Sequence, residues 1–68
     1  MKKSFERPIF LKGQHVKYCG KTGVVLDPNY ELRKTYVDQM GTIFAPVLLV
    51  ERDDGTLEKV TQTIVMLA

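Results

Sequence analysis

Short apolar segments punctuate the chain, and one of them alternates apolar and polar residues with a period of two, the spacing of a half-buried β-strand. The alternation lies at residues 15–18, where every second side chain is apolar. Further apolar segments occupy residues 24–26, 42–52, 57–61 and 64–67. The pattern therefore predicts five short strands and a mainly β structure.

Glycine positions predict two tight turns between these strands. Two of the five glycines lie within residues 20–23, which suits a reversal that needs positive φ. Residues 53–55 predict a hairpin loop of three residues with its glycine in the left-handed conformation. That loop sets Val50 opposite Glu58, whereas a two-residue loop would set Glu51 opposite Glu58 and place like charges together.

Residues 28–41 are expected to form a long loop or a short helix between the second and third strands. Asp27 is a capping residue, and Pro28 suits the first position of a helix. Leu32 and Tyr36 lie four residues apart, which puts them on one helical face. The pattern ends after about two turns, so such a helix would be marginal alone.

Two further prolines limit the neighbouring segments. Residues 1–8 are polar and end in Pro8, which predicts a flexible N-terminal arm before a single domain at residues 9–68. Pro46 lacks a backbone N–H, so regular strand pairing is expected only from Val47 onward.

The order of these elements predicts a small closed or partly open barrel, because such a fold hides sheet edges economically in a chain of this length. A β-branched composition agrees with it, since Val, Ile and Thr number 17 and Ala only two. The residues expected in the core are Val16, Tyr18, Val24, Leu26, Leu48, Val50, Val60 and Val65.

The first predicted hairpin resembles that of SH3-like small β-barrels of the KOW type. The resemblance covers residues 9–26 by motif and the remainder by element order, and it rests on Gly13, Val16, Tyr18, Gly20, Gly23 and Val25. The resemblance implies a five-stranded SH3-like barrel and, for the KOW type, binding to RNA or DNA. The turn between the first two strands is shorter than the usual KOW pattern. Trp is absent, so recognition of polyproline ligands is not implied.

The single Cys19 and the lack of an apolar signal segment favour a reducing, cytoplasmic location. The longest apolar stretch, residues 41–50, is about half of the roughly 20 residues that a membrane helix needs. We therefore expect no membrane span. The oligomeric state is left open, with a homodimer among the options, because so small a core has a thin stability margin.

Candidate chemistry is sparse, and we expect neither enzymatic activity nor a cofactor. One histidine leaves no catalytic triad to assemble. Gly20-Lys21-Thr22 resembles the end of a phosphate-binding loop, but His15 occupies the position of the required first glycine. His15 and Cys19 would lie about 13 Å apart on a strand, too far to share a metal ion.

Charge is distributed unevenly, although the net charge is only +2. Residues 1–34 hold eight basic and three acidic residues, a net charge of +5, and residues 35–68 hold two basic and five acidic, a net charge of −3. We expect a non-enzymatic module that binds a larger protein partner, with nucleic acid as the alternative. The expected contact residues lie on the basic hairpin and the 28–41 insertion: Lys12, Lys17, Lys21, Tyr30, Arg33, Lys34 and Tyr36.

Overall fold

A computed structural model describes residues 2–38 and 41–68, with side chains placed for 3–35 and 41–68. The mainly β class is confirmed, because six strands form one sheet and the only helical segment among these residues is the 3-10 turn Gln62–Ile64. The strands are β1 (Lys2–Phe5), β2 (His15–Tyr18), β3 (Lys21–Asp38), β4 (Gly41–Arg52), β5 (Leu57–Thr61) and β6 (Met66–Leu67).

The sheet is built around β4. Strands follow the order β1-β4-β3-β2-β6, and β5 pairs with β4 beside β1. The β1–β4 pair is parallel, and the other described pairs are antiparallel. The sheet curls into an open half-barrel, which agrees with the expected small barrel. Its radius of gyration, 12.7 Å, exceeds the roughly 11 Å usual for this length, because the molecule is elongated and measures 41 Å along its longest axis. Residues 28–38 of β3 and residues 41–47 of β4 form the projecting part, which we call the ribbon.

The core lies on the concave face of the curled sheet, and we call this the core face. Six of the eight predicted core residues are buried there, but the prediction for β3 was wrong by one residue. Val25 is fully buried, while Val24 and Leu26 are half-buried. Three consecutive apolar residues give no period, so the strand's register decides which of them points inward. The core cluster comprises Phe10, Val16, Tyr18, Val25, Leu48, Val50, Val60 and Val65.

The first turn consists of Cys19 and Gly20 alone, since Tyr18 pairs directly with Lys21. Both turn residues have positive φ, 49° and 75°, as a two-residue hairpin of this hand requires. Gly23 was expected within the turn but lies inside β3. Its position there is explained by packing: a Cβ at Gly23 would lie 2.6 Å from the carbonyl oxygen of Glu51.

The β4–β5 hairpin is confirmed in detail. Val50 pairs with Glu58, and the N–H of Arg52 donates to the carbonyl of Thr56 at 2.8 Å, which closes a three-residue loop. Gly55 has φ of 89°, the left-handed conformation expected of it.

Residues 28–38 form neither a long loop nor a helix, because they belong to β3, which pairs with β4 from Glu31 to Asp38. In the remainder of the predicted 28–41 insertion, residues 39–40 lie outside the described residues and Gly41 begins β4.

Asp27 and Pro28, which were predicted to start a helix, instead lie at the beginning of a bulge in β3. Asp27 pairs with Leu49 and Glu31 with Val47, so residues 28–30 bulge out opposite one residue of β4. Within the bulge the Asp27 carboxylate accepts a hydrogen bond from the N–H of Asn29 at 2.9 Å, an Asx turn.

The N-terminal segment also differs from expectation. Residues 2–5, predicted to lack regular structure, form β1 and pair with residues 41–44. The following segment is attached through the buried side chain of Gln62, which accepts from the N–H of Ile9 and donates to the carbonyl of Arg7, both at 3.0 Å. Flexibility of residues 1–8 stays a prediction.

Pro46 lies inside a continuous strand, so the expectation that pairing starts at Val47 was wrong. Strands β1 and β5 both lie along the edge of β4 that faces away from β3. Phe44 and Arg52 direct their backbone groups to this edge, because the carbonyl of Phe44 accepts a hydrogen bond from the N–H of Glu6 and the N–H of Arg52 donates to Thr56. Since alternate residues direct their backbone groups to the same edge, Pro46 also faces that edge. It falls between the last β1 pair, at Phe44, and the first β5 pair, at Val47, where no ladder donor is needed.

Candidate binding surface

The seven predicted contact residues fall into two groups that the fold does not merge. Lys12 and Lys17 are exposed on the loop before β2 and on β2 itself, and Lys21 begins β3 at the first turn. Tyr30, Arg33 and Lys34 are exposed on the projecting part of β3. Tyr36 pairs with Ile43 through its backbone, and its side chain lies outside the described part of the chain.

Lys21 belongs to a structural cluster at the end of the first hairpin. The hydroxyl of Tyr18 donates to the carboxylate of Glu58 at 2.8 Å, and the ammonium of Lys21 lies 3.6 Å from the same carboxylate. The hydrogen bond from Tyr18, followed by the charge of Lys21, lowers the pKa of Glu58. Lys21 is therefore already paired with a carboxylate of its own chain, which reduces the positive charge that the hairpin offers to a partner.

Tyr18 predicts a specific response to alkaline pH. Burial, with the hydrogen bond to Glu58 and its negative charge, raises the pKa of Tyr18 to about 12. The unfolded chain ionises this phenol near pH 10, so the contribution of Tyr18 to stability is complete below about pH 10 and is lost towards pH 12. We expect the free energy of unfolding to fall by about 1 kcal/mol per pH unit across this window.

Denaturant unfolding of the wild type and of Tyr18→Phe at pH 8 to 11.5 measures this effect. The variant should be less stable at pH 8, because Glu58 loses its donor, yet its stability should fall less steeply above pH 10. Equal slopes for the two proteins would contradict the assignment.

The outer face of the ribbon, opposite the core face, is covered by paired charges. The carboxylate of Glu31 lies 3.7 Å from the guanidinium of Arg33 and 3.6 Å from the ammonium of Lys59, which lies 5.9 Å from the centre of the Tyr30 ring. Arg33 also donates to the hydroxyl of Thr61 at 3.3 Å. Arg33 thus has partners on β3 and β5, across the width of β4.

The core face of the ribbon is different, because aromatic rings lie there without a covering layer. Phe5 of β1 and Phe44 of β4 are register partners, and their rings stack with centroids 5.3 Å apart. Phe5 is 59% exposed. Lys34 pairs with Phe44 from the other side, so Phe5, Phe44 and Lys34 form one row across three strands. The adjacent row holds Leu32, which is 48% exposed.

We call the surface formed by Lys3, Phe5, Leu32, Lys34 and Phe44 the aromatic strip. Lys3 belongs to it because it lies two residues before Phe5 and therefore on the same face of β1. Among the side chains whose register is described, this face of the ribbon holds two lysines and no carboxylate. The sequence prediction included Lys34 but missed both phenylalanines. No local sequence pattern marks the two rings as neighbours, because they meet only through the unforeseen β1–β4 pair.

A cleft of about 280 Å³ opens beside the first turn, at the other end of the sheet. Lys21, Arg52, Asp53 and Asp54 line it with balanced charge, and the hydroxyl of Thr22 donates to Asp53 across it. The residues that the structure describes contain no group of three or more metal-ligating side chains. They also include no helix with the length and apolar character needed to cross a membrane.

Comparisons with known proteins add no relative, since the chain matches no family model, no curated protein and no solved structure.

Proposed function

We propose that the protein is a non-enzymatic module that docks on a larger protein partner through the aromatic strip. The observation that supports this proposal is the stacked pair Phe5–Phe44, in which Phe5 is exposed and Phe44 is half-buried, beside the exposed Lys34 on an uncovered sheet face. Exposed aromatic rings are costly to leave in water and are enriched at protein interfaces, where their apolar area becomes buried.

The charge of the strip specifies the partner's chemistry. Lys3 and Lys34 flank the rings, whereas the acidic Glu31 lies on the outer face with its own cations. A partner segment that presents large apolar side chains together with Asp or Glu would complement both features. The proposal moves the contact surface from the basic hairpin to the core face of the ribbon, because Lys21 is already paired with Glu58.

A peptide-display selection tests this proposal and requires no identified partner. Random peptides are selected on the wild-type protein, and the enriched sequences are measured against Phe44→Ser, Lys34→Glu and Lys17→Glu. Lys17→Glu is the matched control, because it makes the same charge change at an exposed lysine of β2 outside the strip. We expect enriched peptides to combine acidic and large apolar residues and to lose about tenfold or more in affinity with the first two variants.

Two results would argue against the aromatic strip. One is enrichment of peptides whose affinity is unchanged by Phe44→Ser. The other is a loss of affinity with Lys17→Glu that equals the loss with Lys34→Glu, which would return the contact surface to the basic hairpin.

Binding to single-stranded nucleic acid is the second candidate, and the same strip favours it. Phenylalanine rings stack on bases, and Lys3 and Lys34 lie where they could contact phosphates. Fluorescence anisotropy with a labelled single-stranded oligonucleotide distinguishes the two candidates. Binding that weakens steeply as salt rises from about 50 to about 200 mM, with a shallower slope for Lys3→Ala/Lys34→Ala, would favour nucleic acid over a protein partner.

A further inference from the structure

The long edge of β3 is open over the projecting ribbon. Strand β2 pairs with β3 only at residues 21–24, and the backbone of Val25 bonds with Gly13 and Gln14. Beyond Val25, no strand in the described part of the chain lies on that edge, whereas the opposite edge pairs with β4 as far as Asp38. An exposed strand edge of this kind is a template for pairing with another strand.

The backbone groups that face this edge can be identified from the β4 ladder. Phe44 and Pro46 direct their backbone groups away from β3, as the bond from Glu6 to the carbonyl of Phe44 shows. Their partners Lys34 and Leu32 therefore occupy non-hydrogen-bonded positions in the β3–β4 ladder. The N–H and C=O of Leu32 consequently point outward to the open edge.

We propose that the occupant of this edge is a second copy of the chain, paired antiparallel about a two-fold axis at Leu32. In this register the two Leu32 residues exchange both backbone hydrogen bonds. The axis is perpendicular to the sheet, so the pairing keeps each copy's core face on the same side. The two exposed Leu32 side chains then meet, and the two aromatic strips form one continuous surface. This inference does not depend on the proposed function.

Charge pairing favours a two-fold axis at Leu32 over the next possible register, which has its axis at Arg33. With the axis at Leu32, Glu31 of each copy lies opposite Arg33 of the other on the outer face, which gives two attractive cross-strand pairs. Moving the axis to Arg33 would place the two guanidinium groups opposite each other. Glu31 and Arg33 are each about half exposed at their side chains, 42% and 50%, and so remain accessible to a second strand.

The interface is small, so we expect a reversible dimer with a dissociation constant on the order of 100 µM. Sedimentation velocity across about 10 µM to about 1 mM measures it. Glu31→Arg sets arginines opposite each other in the dimer, and Arg33→Glu sets glutamates opposite each other. Each variant alone should dimerise about tenfold or more weakly. An equimolar mixture should restore dimerisation, because every cross-strand pair in the heterodimer is then attractive.

Wild-type protein that sediments as a monomer throughout this range overturns the proposal. So does dimerisation that both single variants retain, or a mixture that stays monomeric while the wild type dimerises. Amide hydrogen exchange of the wild type supplies a test that needs no variant. The amide of Leu32 should become more protected as protein concentration rises, and protection independent of concentration would contradict the pairing.

Discussion

Gly23→Ala is expected to destabilise the protein by about 3 kcal/mol or more, although it adds a single methyl group. A Cβ at this position would lie 2.6 Å from the carbonyl oxygen of Glu51, 2.7 Å from a methyl carbon of Val50 and 3.2 Å from the Cα of Arg52. Two of these neighbours are backbone atoms of β4, so β3 and β4 must separate locally to make room. We expect the melting temperature to fall by more than about 10 °C in a domain of this size.

Gly20→Asn is the matched control for Gly23→Ala. Gly20 has positive φ, and a Cβ there would meet nothing within 4 Å. Asparagine adopts the left-handed conformation more readily than other residues, so the control should cost less than about 1 kcal/mol despite its larger side chain. The melting temperatures of the two variants show whether a substitution at glycine is costly because of close packing, as at Gly23, or because of the turn conformation, as at Gly20. Equal losses at the two positions would show that the β3–β4 contact at Gly23 is not as close as described.

Leu48→Ala should have an effect of similar size. Leu48 is fully buried on β4 and belongs to the single core cluster of the described residues. Removing three of its side-chain carbons loses their transfer free energy and leaves a cavity that the curled sheet fills only in part. Such substitutions cost about 2–5 kcal/mol, which is roughly half of the about 3–10 kcal/mol of stability expected for 68 residues.

Leu57→Ala provides the control for Leu48→Ala, because Leu57 lies on the adjoining strand β5 but is 56% exposed. We expect its loss to be about 0.5 kcal/mol or less. Chemical denaturation gives both values from the same experiment. A Leu48→Ala variant as stable as Leu57→Ala would mean that the core does not lie on the face of β4 to which it is assigned.

Local chemistry was sufficient to predict the β4–β5 hairpin. Gly55 supplies the left-handed residue, and the repulsion that Glu51 would meet opposite Glu58 selects the longer loop. Glu51, Gly55 and Glu58 all lie within one stretch of eight residues, so the turn can be predicted from the local sequence without knowledge of the rest of the fold. The predicted burial of Val16 and Tyr18 succeeded for the same reason, since alternation within one short strand defines its inner face.

Features that depend on distant pairing could not be predicted in this way. Asp27 and Pro28 carry the local signals of a helix start, but pairing between residues 31–38 and β4 outweighs them, and a bulge accommodates the proline. The aromatic strip was also only partly predictable, because it depends on the pairing of distant segments. Lys34 was identified by its charge, whereas Phe5 and Phe44 become neighbours only through a parallel pair between segments 39 residues apart.

The projecting β3–β4 ribbon is the feature on which the aromatic strip and the proposed dimer both depend. NMR of the isotopically labelled protein tests it directly, because residues opposite each other at non-hydrogen-bonded positions have their α-protons close together. We predict nuclear Overhauser contacts between the α-protons of Leu32 and Pro46, and between those of Lys34 and Phe44. Their absence, together with successive amide–amide contacts through residues 28–38, would show a helix there and contradict the ribbon.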